Sequence, residues 1–244
     1  MQKSVTGSLE CPNKVAEQQE GNMERQIITL DDIRRNDDVR TYISKANEQM
    51  NALGYTEHGF RHAGIVAETA GRIPRELGFD GRLSELAAIA GYLHDIGNTI
   101  NRHIHCETGA VMAFTLLTKM GMPTEEIATI ISAIGNHEEE LGAPVSPVAA
   151  ALILADKADV HQSRVQNPNP MAFDIHDRVN HAVQQSQLRV DQDAKTINLE
   201  LTTDSQAASV MEYFEIFLIR MLMCRRAADF FGYKFRLVIN GTDL

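Results

Sequence analysis

The chain has 244 residues and a formal net charge of −10 at pH 7, with 43% hydrophobic and 23% charged residues. These values are typical of a globular protein with one large domain, or with one domain and an appendage. The net negative charge argues against a stable nucleic-acid partner, because no excess of basic residues would offset the phosphate charges.

The cysteines and the hydrophobic segments indicate the cellular compartment. Cys11, Cys106 and Cys224 are far apart and form no CxxC pair, which is typical of reduced thiols and not of a disulfide framework or a zinc knuckle. The first residues contain no apolar signal segment, and no later segment is long and apolar enough to span a bilayer. We therefore expect a cytoplasmic protein without membrane contact.

The first two thirds of the chain have a helical pattern. Residues 1–26 are polar and without periodicity, so a flexible N-terminal tail is predicted. From Leu30 to about Val165 the apolar residues recur with a helical period, and glycines and prolines separate the helices. Ser146 and Pro147 are typical of an N-cap and the first residue of a helix. The pattern predicts a mainly α-helical bundle over residues 27–170.

The last third has a different pattern. Leu188–Val190 and Thr196–Leu201 alternate apolar and polar residues on either side of a polar turn, which predicts a β-hairpin. A long amphipathic helix follows from about Ser205 to Phe231, and Phe235–Ile239 is a candidate third strand. We predict a small α+β extension over residues 171–244, packed on the helical core. The apolar stripe of its long helix is typical of a core contact or of the contact in a homodimer.

Five of the predicted helices each carry a polar residue on their apolar face. Taken alone, each such histidine is more often a hydrogen-bonded core residue than a metal ligand. Burying the whole set is costly unless every member has a partner, and one shared metal centre would satisfy all of them. Imidazoles and carboxylates suit Fe, Mn, Zn or Co, and a carboxylate can bridge two such ions. The candidate ligands are His62, His94, Asp95, His105, His137 and Asp156.

The order of these residues resembles that of the HD-domain metal-dependent phosphohydrolases. The motif of that superfamily is a histidine on one helix, a His-Asp pair on a later helix and a distal aspartate. Here His62 lies in RHAGIVAETA, the pair His94-Asp95 lies in LHDIGN, and Asp156 lies in LADKADV. The resemblance covers residues 50–165 in rough outline. It implies that the helical part is an HD-domain bundle.

The resemblance also implies a site for two divalent ions. One ion would be held by the four motif residues, and Asp95 would bridge it to a second ion. His105 in HCETGA and His137 in NHEEELG occur where the further histidines of two-metal members are expected. His103 competes with His105, but HCETGA matches the H-x-x-x-G-A pattern of the superfamily. The metal stays open among Fe, Mn, Zn, Co, Ni and Mg.

The activity implied by the resemblance is metal-dependent hydrolysis of a phosphate ester or anhydride. Asp95 and His94 would be the catalytic residues at the metal centre, and the substrate would be a nucleotide or another small phosphorylated metabolite. The run NHEEELGAPVSP lacks the Gly-Tyr-Pro of the branch that hydrolyses cyclic di-GMP, which argues against that substrate. Two alternatives stay open: a diiron oxygenase of the HD type, and a signalling module that keeps the fold without catalysis.

Four cationic or hydrogen-bonding side chains are candidates for binding the substrate phosphate. Two of them follow Asp156 on what is predicted to be the same helix, where long side chains could reach a phosphate at the metals. A third lies one helical turn before His62, and the fourth lies in NTINRH. The run Glu138–Glu140 is instead typical of a solvent-facing segment, with Glu138 as an alternative outer-shell base. The phosphate-binding candidates are, in that order, Lys157, Arg164, His58 and Arg102.

Overall fold

The computed structural model describes residues 27–139 and 141–244, so the predicted tail over residues 1–26, which includes Cys11, lies outside it. The described part is mainly helical, as predicted, and none of its helices combines the length and apolar character needed to cross a membrane. Short 3-10 turns cover Ile96–Thr99, Arg102–Ile104, Gln162–Arg164 and Pro170–Ala172. The α-helices are α1 (Leu30–Arg35), α2 (Asp37–Ala52), α3 (Phe60–Glu76), α4 (Gly81–Leu93), α5 (His105–Lys119), α6 (Thr124–Gly135), α7 (Pro147–Ala158), α8 (Ile175–Ala182) and α9 (Val210–Phe230).

Capping side chains fix where several helices begin. Ser146 accepts a hydrogen bond from a backbone N–H in the first turn of α7, and Pro147 is the first residue of that helix, as the sequence predicts. The sequence also predicts the long C-terminal helix from about Ser205, but α9 begins later. Ser209 and Glu212 form a reciprocal capping box at that point. The box satisfies free N–H groups of the first turn and so sets the later start.

Helices α3, α4 and α7 form the centre of the core, and two glycines allow the close approaches around it. A Cβ atom at Gly91 of α4 would lie 2.9 Å from the carbonyl oxygen of Val66 and 3.0 Å from Cα of Ala67, both in α3. A Cβ atom at Gly97, in the 3-10 turn after α4, would collide with the carbonyl oxygen of His105 at the start of α5. These approaches bring polar residues of three helices to one point.

Helix α7 is buried along nearly its whole length. Val148 and Leu152 have no exposed surface, and α7 contacts α3, α4, α6 and α9. A helix that is apolar on every face needs neighbours on every side. One side is supplied by α9, in which Met223 and Cys224 are fully buried; Cys224 and Cys106 are both free thiols. The C-terminal part therefore shares one core with the helical bundle.

The sheet has the strand order β1-β2-β3-β4. β1 (Val183–Asp191) and β2 (Thr196–Thr203) form an antiparallel hairpin, and β3 (Lys234–Ile239) runs parallel to β2 with α9 in the crossover. β4 (Thr242–Asp243) pairs with β3. The segments predicted as strands lie within β1, β2 and β3, and Leu199 of β2 is one of the residues that the sheet adds to the core. The division of the chain at residue 170 stays a prediction.

Candidate metal centre

Three side chains meet where α3, the end of α4 and α7 come together. His62 lies on α3, His94 directly follows α4, and Asp156 lies on α7. The Nε2 atoms of the two histidines are 3.3 Å apart, and Oδ1 of Asp156 lies 3.3 Å from that of His62 and 3.6 Å from that of His94. Both histidines are only 1% exposed. This group has the donor atoms and the spacing to hold one metal ion.

A second group forms where the start of α5 meets the end of α6. His105 is the first residue of α5, while His137 and Glu138 follow α6. Nε2 of His105 lies 3.0 Å from Nε2 of His137 and 3.3 Å from Oε2 of Glu138. The prediction that Glu138 faces solvent is wrong, because the turn after α6 directs its carboxylate toward His105. This group could hold a second ion.

Asp95 lies between the two groups. Its Oδ2 atom is 3.2 Å from Nε2 of His94 and 3.5 Å from Nε2 of His62, while Oδ1 is 3.6 Å from Nε2 of His105. Oδ2 is buried and accepts no hydrogen bond within the described residues. Asn98 donates a hydrogen bond to Oδ1 at 2.8 Å and thereby orients the carboxylate. One oxygen faces each group, which is the arrangement that a bridging carboxylate needs.

The hydrogen bonds of the four histidines determine which nitrogen faces the centre. In each ring, Nδ1 lies 2.5–2.8 Å from an oxygen atom behind the site. A neutral ring that donates from Nδ1 carries a lone pair on Nε2, and neutral rings whose lone pairs face each other suit a cation between them. The donor set therefore fits divalent ions. The oxygens are the carboxylate of Asp159 for His62, and the backbone carbonyls of Gly91, Arg102 and Ile134 for His94, His105 and His137.

Asp159 supports His62 through a charged network. Arg61 donates two hydrogen bonds to the Asp159 carboxylate, at 2.9 and 3.1 Å, and Arg164 donates to its backbone carbonyl at 2.9 Å. Burial by itself would raise the pKa of Asp159, but the hydrogen bond from His62 and the charge of Arg164 bring it below its ordinary range. A carboxylate in this position fixes the imidazole ring and strengthens Nε2 as a metal ligand.

A comparison with known protein families agrees with this geometry. Residues 59–161 match the family model of the HD domain, and that segment includes every candidate ligand. The chain contains an HD domain. The superfamily predicted from the His-Asp motif is thereby confirmed, and the helical bundle is its fold.

Two known proteins are similar in sequence to this chain, one over most of its length and the other over about a third of it. An uncharacterized protein, MJ1020, from Methanocaldococcus jannaschii is 25% identical over 202 residues, which is 72% of this chain and 76% of that protein. Ribonuclease Y from Thermus thermophilus, in each of two strains, is 34% identical over 88 residues, which is 35% of this chain and 13% of the ribonuclease. The chain therefore spans only a small part of the length of ribonuclease Y.

The structure separates the two histidines that compete for one position in the HD domain. His105 is 2% exposed and points its Nε2 atom at His137, whereas His103 is exposed to solvent. The cause is the 3-10 turn Arg102–Ile104, which ends at His105 and leaves His103 on its outer side. His105 is thus the histidine that the fold brings to the metal centre.

Burial and the charges of the HD-domain site shift histidine pKa values in opposite directions. Burial by itself would lower the pKa of His94, but Asp95 and Asp156 raise it to about 10. Burial lowers the pKa of His105, and it places the pKa of His137 well below its usual range. The second group thus favours neutral imidazoles, which is the protonation state that binds a metal ion.

Lys157 occupies a different position from the one that a phosphate-binding residue needs. Its Nζ atom lies 2.8 Å from Oδ2 of Asp156 and 3.0 Å from Oε1 of Glu139, and the residue is buried. Burial by itself would lower the pKa of Lys157, but these two carboxylates raise it above its ordinary range. Glu139 is therefore an ion-pair partner whose side chain is only 11% exposed, and the prediction that it faces solvent is wrong. Glu140 lies outside the described residues.

Arg164 does not lie on α7, so the prediction of a shared helix is wrong. The helix ends at Ala158 because its C-cap residue Asp159 leaves the helical conformation and turns toward α3. Arg164 is 3% exposed and donates hydrogen bonds to the backbone carbonyls of Glu57 and Asp159 at 2.9–3.2 Å. Its side chain connects the loop before α3 with the turn after α7.

Arg102 and His58, the other two predicted phosphate contacts, lie beside the metal centre. Nη1 of Arg102 is 3.1 Å from Nε2 of His105, and the ring centres of His58 and His62 are 5.5 Å apart. Burial keeps the pKa of His58 well below its ordinary value. Both side chains line a cavity of about 450 Å³. The structure therefore places these two candidates next to the candidate metal ligands His62 and His105.

Sequence analysis missed Arg220 on α9, which lines the same cavity. Its Nε atom is 3.0 Å from Oε1 of Glu139, and its guanidinium lies 4.8 Å from the ring centre of Phe217. The helical phase contains one signal, because Arg220 follows the buried Phe217 by about one turn. The sequence has no motif that pairs α9 with the HD domain, so only the fold shows their proximity.

Proposed function

We propose that this protein is a metal-dependent phosphohydrolase that cleaves a phosphate ester or anhydride of a nucleotide or another small phosphorylated metabolite. The observation that carries the proposal is the convergence of four imidazole Nε2 atoms and two carboxylates at one buried point. Arg102 lies directly beside that point and can donate to phosphate oxygens. A metal centre next to such a donor has the components that phosphate-ester hydrolysis requires.

The proposal includes two divalent ions. When bound, such ions lower the pKa of coordinated water and bind phosphate oxygens. The nitrogen-rich donor set favours Fe, Mn, Zn, Co or Ni over Mg, which prefers oxygen ligands. His62, His94, Asp95 and Asp156 would hold one ion, while His105 and His137 would hold the other with Asp95 as the bridge and Glu138 as an additional ligand candidate.

The protein side chains contribute mainly position and charge. Asp95 and His94 would hold the ions at a fixed place, and Asn98 orients the Asp95 carboxylate through its hydrogen bond. Arg102 would bind a phosphate oxygen that is not bound to the metals. Lys157 and Arg164 are not proposed to bind phosphate, because their side chains already contact acceptors within the protein.

The partial likeness to ribonuclease Y supports nucleotide phosphates as the substrate class. The likeness covers only 13% of that protein, so we do not propose RNA cleavage as the activity of this chain. A stable nucleic-acid partner is not part of the proposal, because the net charge is −10. The cytoplasmic location stays a prediction.

The test combines metal analysis with a substrate screen. Full-length protein, purified without chelator and reconstituted with Mn²⁺ or Fe²⁺, should contain two metal equivalents per chain and hydrolyse phosphate esters or anhydrides from a nucleotide panel. No hydrolysis of any phosphate compound by the loaded protein would contradict the proposal. One metal equivalent per chain with full activity would support the hydrolase function and contradict the proposal of a second ion.

The two alternatives give different results in the same experiment. A diiron oxygenase would show an iron spectrum that changes with O₂, together with turnover of an organic substrate and no release of phosphate. A silent signalling module would bind little or no metal. The intact ligand set favours the hydrolase and the oxygenase over the silent module.

The proposed homodimer has a candidate surface on α9. Met211, Leu218 and Leu222 share one helical face and are 75%, 49% and 40% exposed. Glu215 and Arg225 flank this face toward its two ends, so an antiparallel second copy would bring opposite charges together. Sedimentation of the wild type as a dimer, and of Leu218→Glu as a monomer with unchanged metal content, would support the surface. A monomeric wild type at high concentration would exclude it.

A further inference from the structure

The cavity beside the metal centre is built by both parts of the chain. The HD domain and the segment just before it contribute Tyr55, His58 and Arg102, while α8 and α9 contribute the opposite side through residues such as Asn180 and Arg220. Its volume of about 450 Å³ lies in the range of pockets that enclose one small molecule. The C-terminal extension thus forms part of the wall of a pocket that is also lined by His58 and Arg102, the neighbours of His62 and His105.

Two guanidinium groups line this cavity. Among the described residues, Arg220 uses only Nε for a polar contact, with Glu139 at 3.0 Å, and its two terminal amino groups have no hydrogen-bonding partner. Arg102 contacts His105 through Nη1, its Nη2 atom lies 3.9 Å from Oε2 of Glu138, and its side chain is 20% exposed. Planar guanidinium groups bind phosphate oxygens with paired hydrogen bonds. This part of the cavity therefore suits a phosphate group.

The α8 side of the cavity has the opposite charge. Asp174 precedes α8, Asp177 lies in its first turn, and both line the cavity together with Asn180. Carboxylates accept hydrogen bonds from hydroxyl and amino groups, and they repel a second phosphate. A polyphosphate or a nucleic-acid strand in this cavity would place a negative charge against two aspartates.

We propose that this cavity is the substrate pocket and that it binds a small phosphomonoester whose remaining part carries hydroxyl or amino groups, as in a nucleoside monophosphate. Arg220 and Arg102 bind the phosphate, and Asp174 and Asp177 bind the other end. The inference rests on the proposed hydrolase function and adds the substrate class and a binding residue from outside the HD domain. It excludes nucleic-acid strands as substrates.

The role of Arg220 is tested with a matched pair of variants on one helix. Arg220→Gln removes the guanidinium from the pocket, whereas Arg226→Gln removes an exposed guanidinium from the same helix. With metal-loaded full-length protein and a nucleoside 5′-monophosphate, Arg220→Gln should lower kcat/KM by about tenfold to hundredfold, mainly through KM. Arg226→Gln should match the wild type. Equal kinetics in both variants would overturn the assignment.

A purely structural role of Arg220 would give a different set of results. Arg220 also contacts Glu139, so its loss could act through Lys157 and the metal ligand Asp156. In that case metal content and melting temperature would fall along with activity. The proposal instead requires unchanged metal content, and partial recovery of KM in Arg220→Lys, which restores a positive charge. Loss of metal in Arg220→Gln would overturn the binding role.

The acidic side is tested by charge removal at constant shape. Asp174→Asn retains a residue type that caps helices well at the N-cap position of α8. The double variant combines Asp174→Asn with Asp177→Asn. The double variant should raise KM for a nucleoside monophosphate by about tenfold, leave phenyl phosphate unchanged, and improve binding of a nucleoside bisphosphate. Equal effects on all three compounds, or faster wild-type cleavage of an oligoribonucleotide than of any phosphomonoester, would overturn the substrate class.

Failure of the hydrolase function can be told apart from failure of the pocket. Binding of inorganic phosphate and of a nucleoside monophosphate to the metal-loaded protein, measured by calorimetry, does not depend on turnover. Binding that is weakened by Arg220→Gln but not by Arg226→Gln, in a protein without hydrolase activity, would retain the pocket and reject the reaction. Hydrolase activity together with ligand binding that Arg220→Gln does not weaken would support the reaction and reject the pocket.

Discussion

His62 and His105 occupy corresponding places in the two halves of the metal centre, but the protein supports them differently. Nδ1 of His62 contacts the carboxylate of Asp159, and Asp159 accepts hydrogen bonds from Arg61 and Arg164. Behind His105 stands the backbone carbonyl of Arg102. His62 is therefore fixed by charged side chains from several elements, and His105 by the local backbone.

The difference teaches how the two ions would depend on the rest of the fold. A charged partner behind a ligand strengthens metal affinity, and mutation of such partners typically costs about 10–100-fold. A carbonyl partner fixes the ring but adds no net charge. We therefore expect the ion of the His62 half to bind more tightly than the ion of the His105 half.

The largest expected effect breaks both halves at once. Asp95→Asn keeps the size of the side chain but removes the charge that faces both groups, so both ions should be lost. Activity should fall by more than about 100-fold, since the change exceeds the loss of an outer-shell partner. Elemental analysis and phosphate release measure the two effects. Asp80→Asn, which keeps the N-cap of α4 far from the site, is the control and should behave as the wild type.

The next largest effect is expected from variants that remove a ligand from only one half of the candidate metal centre. His105→Ala should remove the second ion and leave the first largely bound, whereas His62→Ala should weaken the first ion more than the second. His103→Ala should leave both ions in place, because that residue is exposed. The metal content of each variant after dialysis distinguishes the sites. If His62→Ala and His105→Ala both empty the centre completely, the partition into two sites is wrong.

A smaller effect sharpens the comparison between charged and carbonyl support. Asp159→Asn should reduce metal affinity by about 10–100-fold, with the loss confined to one of two equivalents. Arg61→Gln should have a weaker effect of the same kind, because it leaves the Asp159 carboxylate in place. Competition with a chelator of known affinity measures both. An unchanged affinity in Asp159→Asn would show that the charged network is not what strengthens the His62 half.

The smallest expected effect concerns stability. Gly97→Ala should destabilise the fold by about 1–3 kcal/mol, because its Cβ atom would collide with backbone atoms at the start of α5. The matched change Gly64→Ala meets no atom within 4 Å on α3 and should stabilise the protein by about 0.4–1 kcal/mol. Urea unfolding of the metal-free proteins compares them. If Gly97→Ala is as stable as Gly64→Ala, the close approach is not required.

The sequence predicted the parts of the site that follow helical periodicity and the His-Asp motif. Among the predicted ligands, His62 and Asp156 lie on apolar helix faces, and His94 directly follows the apolar helix α4. Their low exposure follows from this pattern, and the fold brings them together. The ligand roles themselves stay predictions. The helical bundle of the HD domain is confirmed by the family comparison.

The misses depend on tertiary contacts, and most of them involve turns between helices. Glu138 lies in the turn after α6, and Arg164 follows the end of α7, where no periodicity constrains the direction of a side chain. Lys157 is on a helix, but its burial depends on Glu139 in one of these turns. Arg220 comes from a helix with no motif at all. Tertiary contacts decide such positions, and a single sequence contains no direct record of them.

The burial of α7 on every side has a consequence for how the chain can be shortened. Leu152 and Ile153 have no exposed surface, and α9 covers one face of their helix. A protein ending at residue 170 would open that face to water and remove Arg220, the partner of Glu139. Such a fragment would keep every proposed metal ligand in its sequence and yet be prone to aggregate. The shortest version of this protein that can be expressed alone is therefore longer than the segment in which its signature motif lies.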